Sequence, residues 1–288
     1  MMKGKWKNIL LVILFLAGLS LMLYPGISNY WNSLHQSQVI VDYADQLNEL
    51  EESVYRELWD AADRHNQALA GRGNQYSLPE EQEEAYWSML DPNEMGVMAY
   101  IEIPIIDVTL PIGHGTEEDV LQKSVGHLEW SSLPIGGEST HCVLSGHRGL
   151  PSSELFTNID QLEPGDVFYI DVLGETLTYE VDNVAVVEPD DHSLLGIEAG
   201  KDYVTLVTCT PYGINTHRLL IRGVRAEEFG ADGTGIVPVD NEVSNIDLMV
   251  VLPVTLAILA VIVFLVVLLE GNRRPKGKRV KGGRYEER

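Results

Sequence analysis

Cysteine is scarce in this chain: 288 residues carry two, Cys142 and Cys209. Two thiols cannot staple a disulfide scaffold or fill a multi-cysteine zinc site, so each needs its own explanation. Positive charge is scarce as well, with 20 Lys plus Arg against 43 Asp plus Glu and a net charge of −23. A nucleic-acid binder needs a positive field to meet phosphates, and this balance argues against that class. Internal repeats are absent too. With 45% hydrophobic residues, 13 Pro and 26 Gly, the chain is neither disordered nor collagen-like. What is left is a globular protein of one or two domains with length enough for a real core.

Two apolar segments flank the middle of the chain. Lys3, Lys5 and Lys7 precede an apolar run from Ile9 to Tyr24, which Pro25-Gly26 is expected to end. A cleaved signal peptide competes with a membrane span here, but no small-x-small cleavage site follows Leu23, which favours an uncleaved signal anchor. Leu248 to Leu269 gives 22 residues without charge, enough to span a bilayer with some tilt. Eight cations follow it, from Arg273 to Arg288. Positive flanks mark the cytoplasmic side, so both termini are expected inside and the middle outside. That middle holds nine Lys or Arg against 39 Asp or Glu, a balance of −30 that solvates an outer surface.

From about Ser28 to Glu84 the pattern is helical. Tyr43, Leu47, Leu50, Val54, Leu58 and Leu69 recur at three- and four-residue spacings among charges, with a break at Gly71–Asn74. From Val97 the period changes to short β-type runs: 100–104, 107–110, 141–145, 167–172, 176–181, 203–208 and 218–222. Gly, Pro and Asp turns separate them, which predicts a closed barrel or sandwich. Residues 227–247 read as a polar linker to the second span.

Two segments carry candidate chemistry. Thr205–Thr208 runs into Cys209 and the turn residues Thr210-Pro211-Tyr212-Gly213. A thiol at a strand end is accessible in a way that a mid-strand core thiol is not. Eight residues separate it from Arg218, so a hairpin would return that guanidinium to its level, where it could face a thiolate or a developing oxyanion. The second segment is Ser145-Gly146-His147-Arg148-Gly149, a strand end at a glycine-bracketed histidine suited to general acid–base work. Against these stand plainer readings: a lone Cys is usually a small buried hydrophobe and a lone His a satisfied structural residue. A Cys142–Cys209 disulfide is a further alternative, although Cys142 lies mid-run at a packing position. His114 and His127, both beside glycines, rival His147; Arg222 rivals Arg218.

At these residues the chain resembles the sortases, specifically the class C, pilin-polymerising branch found on Gram-positive surfaces. The resemblance covers about residues 96 to 225, within a catalytic barrel expected over 96–226, and includes Pro111-Ile112-Gly113-His114-Gly115-Thr116, Ser145-Gly146-His147-Arg148-Gly149 and Thr208-Cys209-Thr210-Pro211 through His217-Arg218. It implies an eight-stranded β-barrel, mainly β, with an N-terminal helical extension and two flanking transmembrane helices. Cys209 would be the nucleophile, His147 the general acid and base, and Arg218 the substrate- and oxyanion-binding group, with no metal or cofactor. The partners it implies are the membrane and pilin subunits bearing Leu-Pro-x-Thr-Gly-like sorting signals. A wall-anchoring enzyme with a peptidoglycan amine as acceptor, and a non-catalytic binding module, are the alternatives. That branch usually carries a lid with Asp-Pro followed by an aromatic residue. Here Asp91-Pro92 is followed by Asn93 and lies just before the first β-run, so Tyr76 or Leu78, in the segment 71–84, is the candidate plug, with His127 as a groove-lining candidate.

Overall fold

The structure, a computed structural model, describes residues 2–73, 75–92, 95–226 and 255–265. These fall into two compact units. One comprises the start of helix α1 (Met2–Glu49) and a short helix α5 (255–265), joined by a stacked ring pair, Phe15 on Phe264, with centroids 4.2 Å apart. Within α1 an 18-residue window has a mean hydropathy of 2.3, so this helix is long and apolar enough to cross a membrane. α5 is apolar but shorter than a span needs. The rest of the expected second span, the linker 227–247 and the basic tail 270–288 lie outside the described residues.

Pro25 does not end the first helix as expected; it lies inside α1. Proline removes one backbone donor and crowds one preceding carbonyl, a local cost of about 3 kcal/mol in a helix interior. The turns on either side keep their own bonds, and from Asn29 onward α1 is held by side-chain bonds that offset the loss. A break comes instead at Leu50–Glu51, after which α2 (Glu52–Arg72) begins. It ends at Gly73, as the sequence indicates, where a φ of 71° is cheap only for glycine. α2 buries Ala62, His65, Asn66 and Leu69, one stripe at helical spacing. Asn66 bonds both backbone groups of Leu133, accepting its N–H at 2.8 Å and donating to its C=O at 3.1 Å. A short α3 (Glu80–Tyr86) follows.

The second unit is built on eight strands: β1 (Val97–Ile103), β2 (Val108–His114), β3 (Val125–His127), β4 (Thr140–Ser145), β5 (Val167–Val172), β6 (Glu175–Val187), β7 (Asp202–Thr210) and β8 (His217–Arg225). They close into a barrel in the order β1-β2-β3-β4-β7-β8-β6-β5. β2–β3 and β4–β7 are parallel and the other pairs antiparallel. A one-turn helix α4 (Glu118–Leu121) lies between β2 and β3. β3 falls where the sequence suggests only a glycine-flanked loop. Its central Gly126 is required by packing, since a Cβ there would sit 2.3 Å from the Gly115 carbonyl oxygen.

Alternation along the strands sorts side chains between two faces. Cys142, Leu144, Val204, Leu206, Leu219 and Ile221 join Ile101, Phe168 and Tyr179 in the barrel interior. Their neighbours Val143, Val207 and Leu220 form a separate cluster on the outside with Leu195. That outer apolar strip across β4, β7 and β8 is the floor on which the candidate site stands.

Candidate active site

Three strands deliver the three candidate residues to one rim. In the β7–β8 hairpin Cys209 pairs directly with Arg218, as the eight-residue spacing predicts. On the other side of β7 the pairing with β4 is parallel, with Ser145 opposite Val207. The register carries one step further, because the Gly146 N–H donates to the Val207 carbonyl at 3.0 Å. Two residues past that pair stand His147 and Cys209. Neighbouring strands lie about 5 Å apart, so thiol and guanidinium occupy adjacent rows at one level, with His147 following the end of β4 on the other side of β7. Parity puts them on the same face: Cys209 follows Val207 and Arg218 precedes Leu220, both in the outer cluster.

Local chemistry fixes His147. Gly146 lets the strand end pass over the Phe156 ring, which a Cβ would meet at 2.6 Å. The Thr208 hydroxyl donates to the Gly146 carbonyl at 2.7 Å, and the Phe156 N–H to the His147 carbonyl at 3.1 Å. His147 Nε2 makes no hydrogen bond and lies 3.7 Å from a Glu118 carboxylate oxygen. Thr208 and Glu118 are positions the sequence reading missed. Thr208 reads as one more strand threonine, and nothing local brings α4 to β4.

A cleft of about 230 Å³ opens beside Arg218, floored by Val207 and Ser145. Thr116 and Leu121 wall it on one side, and Pro189, Asp191 and His192 of the β6–β7 connection on the other. Arg218 donates to its neighbour's carbonyl, at His217, and has no carboxylate partner among the described residues, which leaves its fork available. Arg222, its rival, is committed: it pairs with Asp182 through Nε at 3.0 Å and Nη2 at 2.8 Å and lies over the Tyr203 ring. Arg148 is likewise structural, bound to Asp160 and to the Thr157 carbonyl.

The two thiols are both free and lie in different surroundings. Cys142 is in the barrel interior, where burial pushes its thiol well above the ordinary range. Cys209 is half-buried at the rim. The disulfide alternative fails because the two side chains face opposite sides of the sheet.

The remaining histidine candidates are structural. His127, expected to line the groove, is wholly buried and cannot touch a substrate. Its Nε2 donates to the Ser132 carbonyl at 2.9 Å, which leaves Nδ1 to accept from the Tyr86 hydroxyl at 2.9 Å. Burial holds it down to about 3, so it stays neutral. His114 has its two ring nitrogens on the carbonyls of Gly96 and Met89. Tyr76 stacks on His192 and donates to its carbonyl at 3.0 Å, so it braces the outside of the β6–β7 connection. Leu78 packs against the barrel core. Neither lines the cleft that Arg218 and Val207 share. Asp91 caps the turn into β1, accepting from the Met95 and Gly96 N–H groups, each at 3.0 Å.

A thiol flanked by an imidazole and by a guanidinium that lines a cleft and has no carboxylate partner among the described residues can carry acyl transfer. Comparison with known proteins places the chain in a family. The sortase domain profile matches residues 101–226. Sortase D of Bacillus subtilis is 36% identical over 128 residues, covering 43% of this chain and 62% of that protein. The chain thus spans less than two thirds of that curated relative. Among solved structures, sortase C1 of Streptococcus agalactiae is 49% identical with a TM-score of 0.65, covering 66% of this chain and 99% of that one. Sortase C of Clostridium perfringens, solved with the C-terminal cell wall sorting motif, is 43% identical with a TM-score of 0.59, covering 67% and 100%. The chain belongs to the sortase family, and its structural neighbours include class C sortases.

Proposed function

We propose that the protein is a cysteine transpeptidase, anchored to the membrane through α1 with its barrel outside the cell, that joins pilin subunits. Its substrates carry a Leu-Pro-x-Thr-Gly-like sorting signal. Cys209 Sγ passes its proton to His147 and attacks the threonine carbonyl carbon. Arg218 donates to the oxyanion as the tetrahedral intermediate forms. The Thr–Gly C–N bond then breaks, the leaving amine takes a proton from His147, and a thioester remains on Cys209. A lysine amine of a second pilin attacks that thioester and gives its proton to His147; the C–S bond breaks, His147 returns the proton to Sγ, and an isopeptide bond remains with the thiol restored. The observation that supports this reading is that Cys209 and Arg218 pair directly across β7 and β8 while His147 leaves β4 two residues past the Ser145–Val207 pair, at the same rim. The sorting motif present with the Clostridium perfringens enzyme supports the choice of substrate class.

Mass spectrometry of the protein with a sorting-signal peptide tests it. The expected result is a covalent adduct on Cys209 that is lost in Cys209→Ala and greatly slowed in His147→Ala or Arg218→Ala. Full adduct formation in Arg218→Ala, or none in the parent, overturns the assignment. Supplying purified pilin against a peptidoglycan-precursor amine separates pilus assembly from wall anchoring.

A further inference from the structure

α1 reaches the segment that carries His147. Asn29, Asn32 and Gln36 share one helix face, at i, i+3 and i+7. All three bond the turn 152–154, in the connection between β4 and β5. Asn32 Nδ2 donates to the Ser152 carbonyl at 2.8 Å. Asn29 Oδ1 accepts the Glu154 N–H at 2.9 Å. Gln36 Nε2 donates to Ser153 Oγ at 3.3 Å and to the Lys123 carbonyl at 2.8 Å, just past α4. Gln36 and Ser153 are 8% and 3% exposed, so water has little access to the bond between them. Gln36 therefore joins the turn to the connection whose Thr116 and Leu121 wall the cleft.

From that turn the path to the imidazole is short. Leu155 follows at a φ of 40°, a left-handed conformation that a leucine holds only where its surroundings impose it. Phe156 comes next, its N–H on the His147 carbonyl and its ring filling the space left by Gly146. We propose that Asn29, Asn32 and Gln36 are positioning residues: through the 152–154 turn and Phe156 they hold His147 beside Cys209. The helix with the apolar window is then also part of the machinery that aligns the acid–base group. This rests on the role given above to His147, and the turn contacts are independent of it.

The test uses the full chain in detergent micelles, comparing the parent, Asn32→Ala/Gln36→Ala and the isosteric Gln36→Glu, which keeps the volume but cannot donate to the Lys123 carbonyl. Two quantities are read: steady-state cleavage of a sorting-signal peptide, and hydrogen exchange of the Glu154 and Phe156 amides. Misplacing a reacting group by about 1 Å costs up to a hundredfold, so the double variant is expected to lose about tenfold to a hundredfold in kcat, with KM within about twofold. Exchange at Glu154 and Phe156 rises while the β7 amides stay protected, and Gln36→Glu shows the same pattern more weakly. Parental kcat in both variants, unchanged exchange at Phe156, or a rise in exchange across the whole barrel would each overturn the proposal. If the parent itself fails to cleave the peptide, the functional reading falls, and the exchange measurement alone decides the clamp.

Discussion

Gly146→Ala is the sharpest test of how His147 is placed. The added Cβ would lie 2.6 Å from Phe156 Cδ2, 2.8 Å from Cγ and 3.2 Å from Cβ. Ordinary contact begins at 3.4 Å, so the ring or the strand end must yield by about 0.8 Å. Phe156 is fully buried and has no room to retreat. Overpacking of this kind costs about 1–3 kcal/mol. The softer side is the strand end, which stops pairing just beyond Gly146, so His147 takes much of the displacement. A shift near 1 Å at a reacting group lowers kcat by up to about a hundredfold. Thermal unfolding reads the first effect and cleavage of a sorting-signal peptide the second. Adding Phe156→Leu removes the ring atoms that clash and should recover most of the kcat, although the smaller side chain leaves its own packing deficit. If Gly146→Ala melts and turns over like the parent, or if the double variant is no better than the single, the packing explanation is wrong.

The two arginines should separate chemistry from stability: Arg218→Ala is expected to lower kcat/KM by about a hundredfold to a thousandfold with little change in melting. Arg222→Ala should leave kcat near parental and cost about 1–2 kcal/mol, through loss of the Asp182 pair. Under native conditions iodoacetamide should label one thiol, Cys209, and under denaturing conditions both; native labelling of Cys142 would contradict its burial in the barrel interior. His127 stays neutral when folded and binds a proton more readily when unfolded, so its contribution is present above pH 6.5 and is lost as pH falls from 6.5 toward about 3. Compared with His127→Gln, the parent should lose up to about 1.4 kcal/mol per pH unit in that window, read as the difference between two melting curves; a constant difference across pH would refute it.

Local pattern carries a good part of this fold. Seven of the strands announce themselves by alternation and turn residues, and the hairpin spacing alone sets Cys209 opposite Arg218. The rest depends on pairings between distant segments. β3 has three residues, too few to show a period. Telling His147 from His127 needs the sheet, because both lie beside glycines and only the barrel buries one and leaves the other at a rim. Arg222 and Arg218 share strand parity, and it is Asp182 on β6 that removes Arg222 from contention. Asn29, Asn32 and Gln36 look like the solvated side of an amphipathic helix, since nothing in their own segment reveals the backbone groups they meet.

The arrangement of the site follows from one topological choice, the parallel pairing of β4 with β7. Parallel neighbours end at the same rim, so His147, two residues past β4, and Cys209, the last residue but one of β7, come to the same rim although far apart in sequence. β8 runs back from that rim, and its second residue is Arg218. The walls of the cleft come from other connections, β2–β3 and β6–β7. On the proposed mechanism, changes in those loops alter which peptide fits without moving Cys209 and Arg218, because their spacing is fixed by backbone pairing. His147 is the exception. It stands one step past the last paired residue, where the ladder no longer holds it, and that is where Thr208, Phe156 and the turn gripped by α1 converge. The end of the β4 ladder is therefore where the Thr208 hydroxyl from β7, the Phe156 amide and, through the 152–154 turn, α1 supply the missing support.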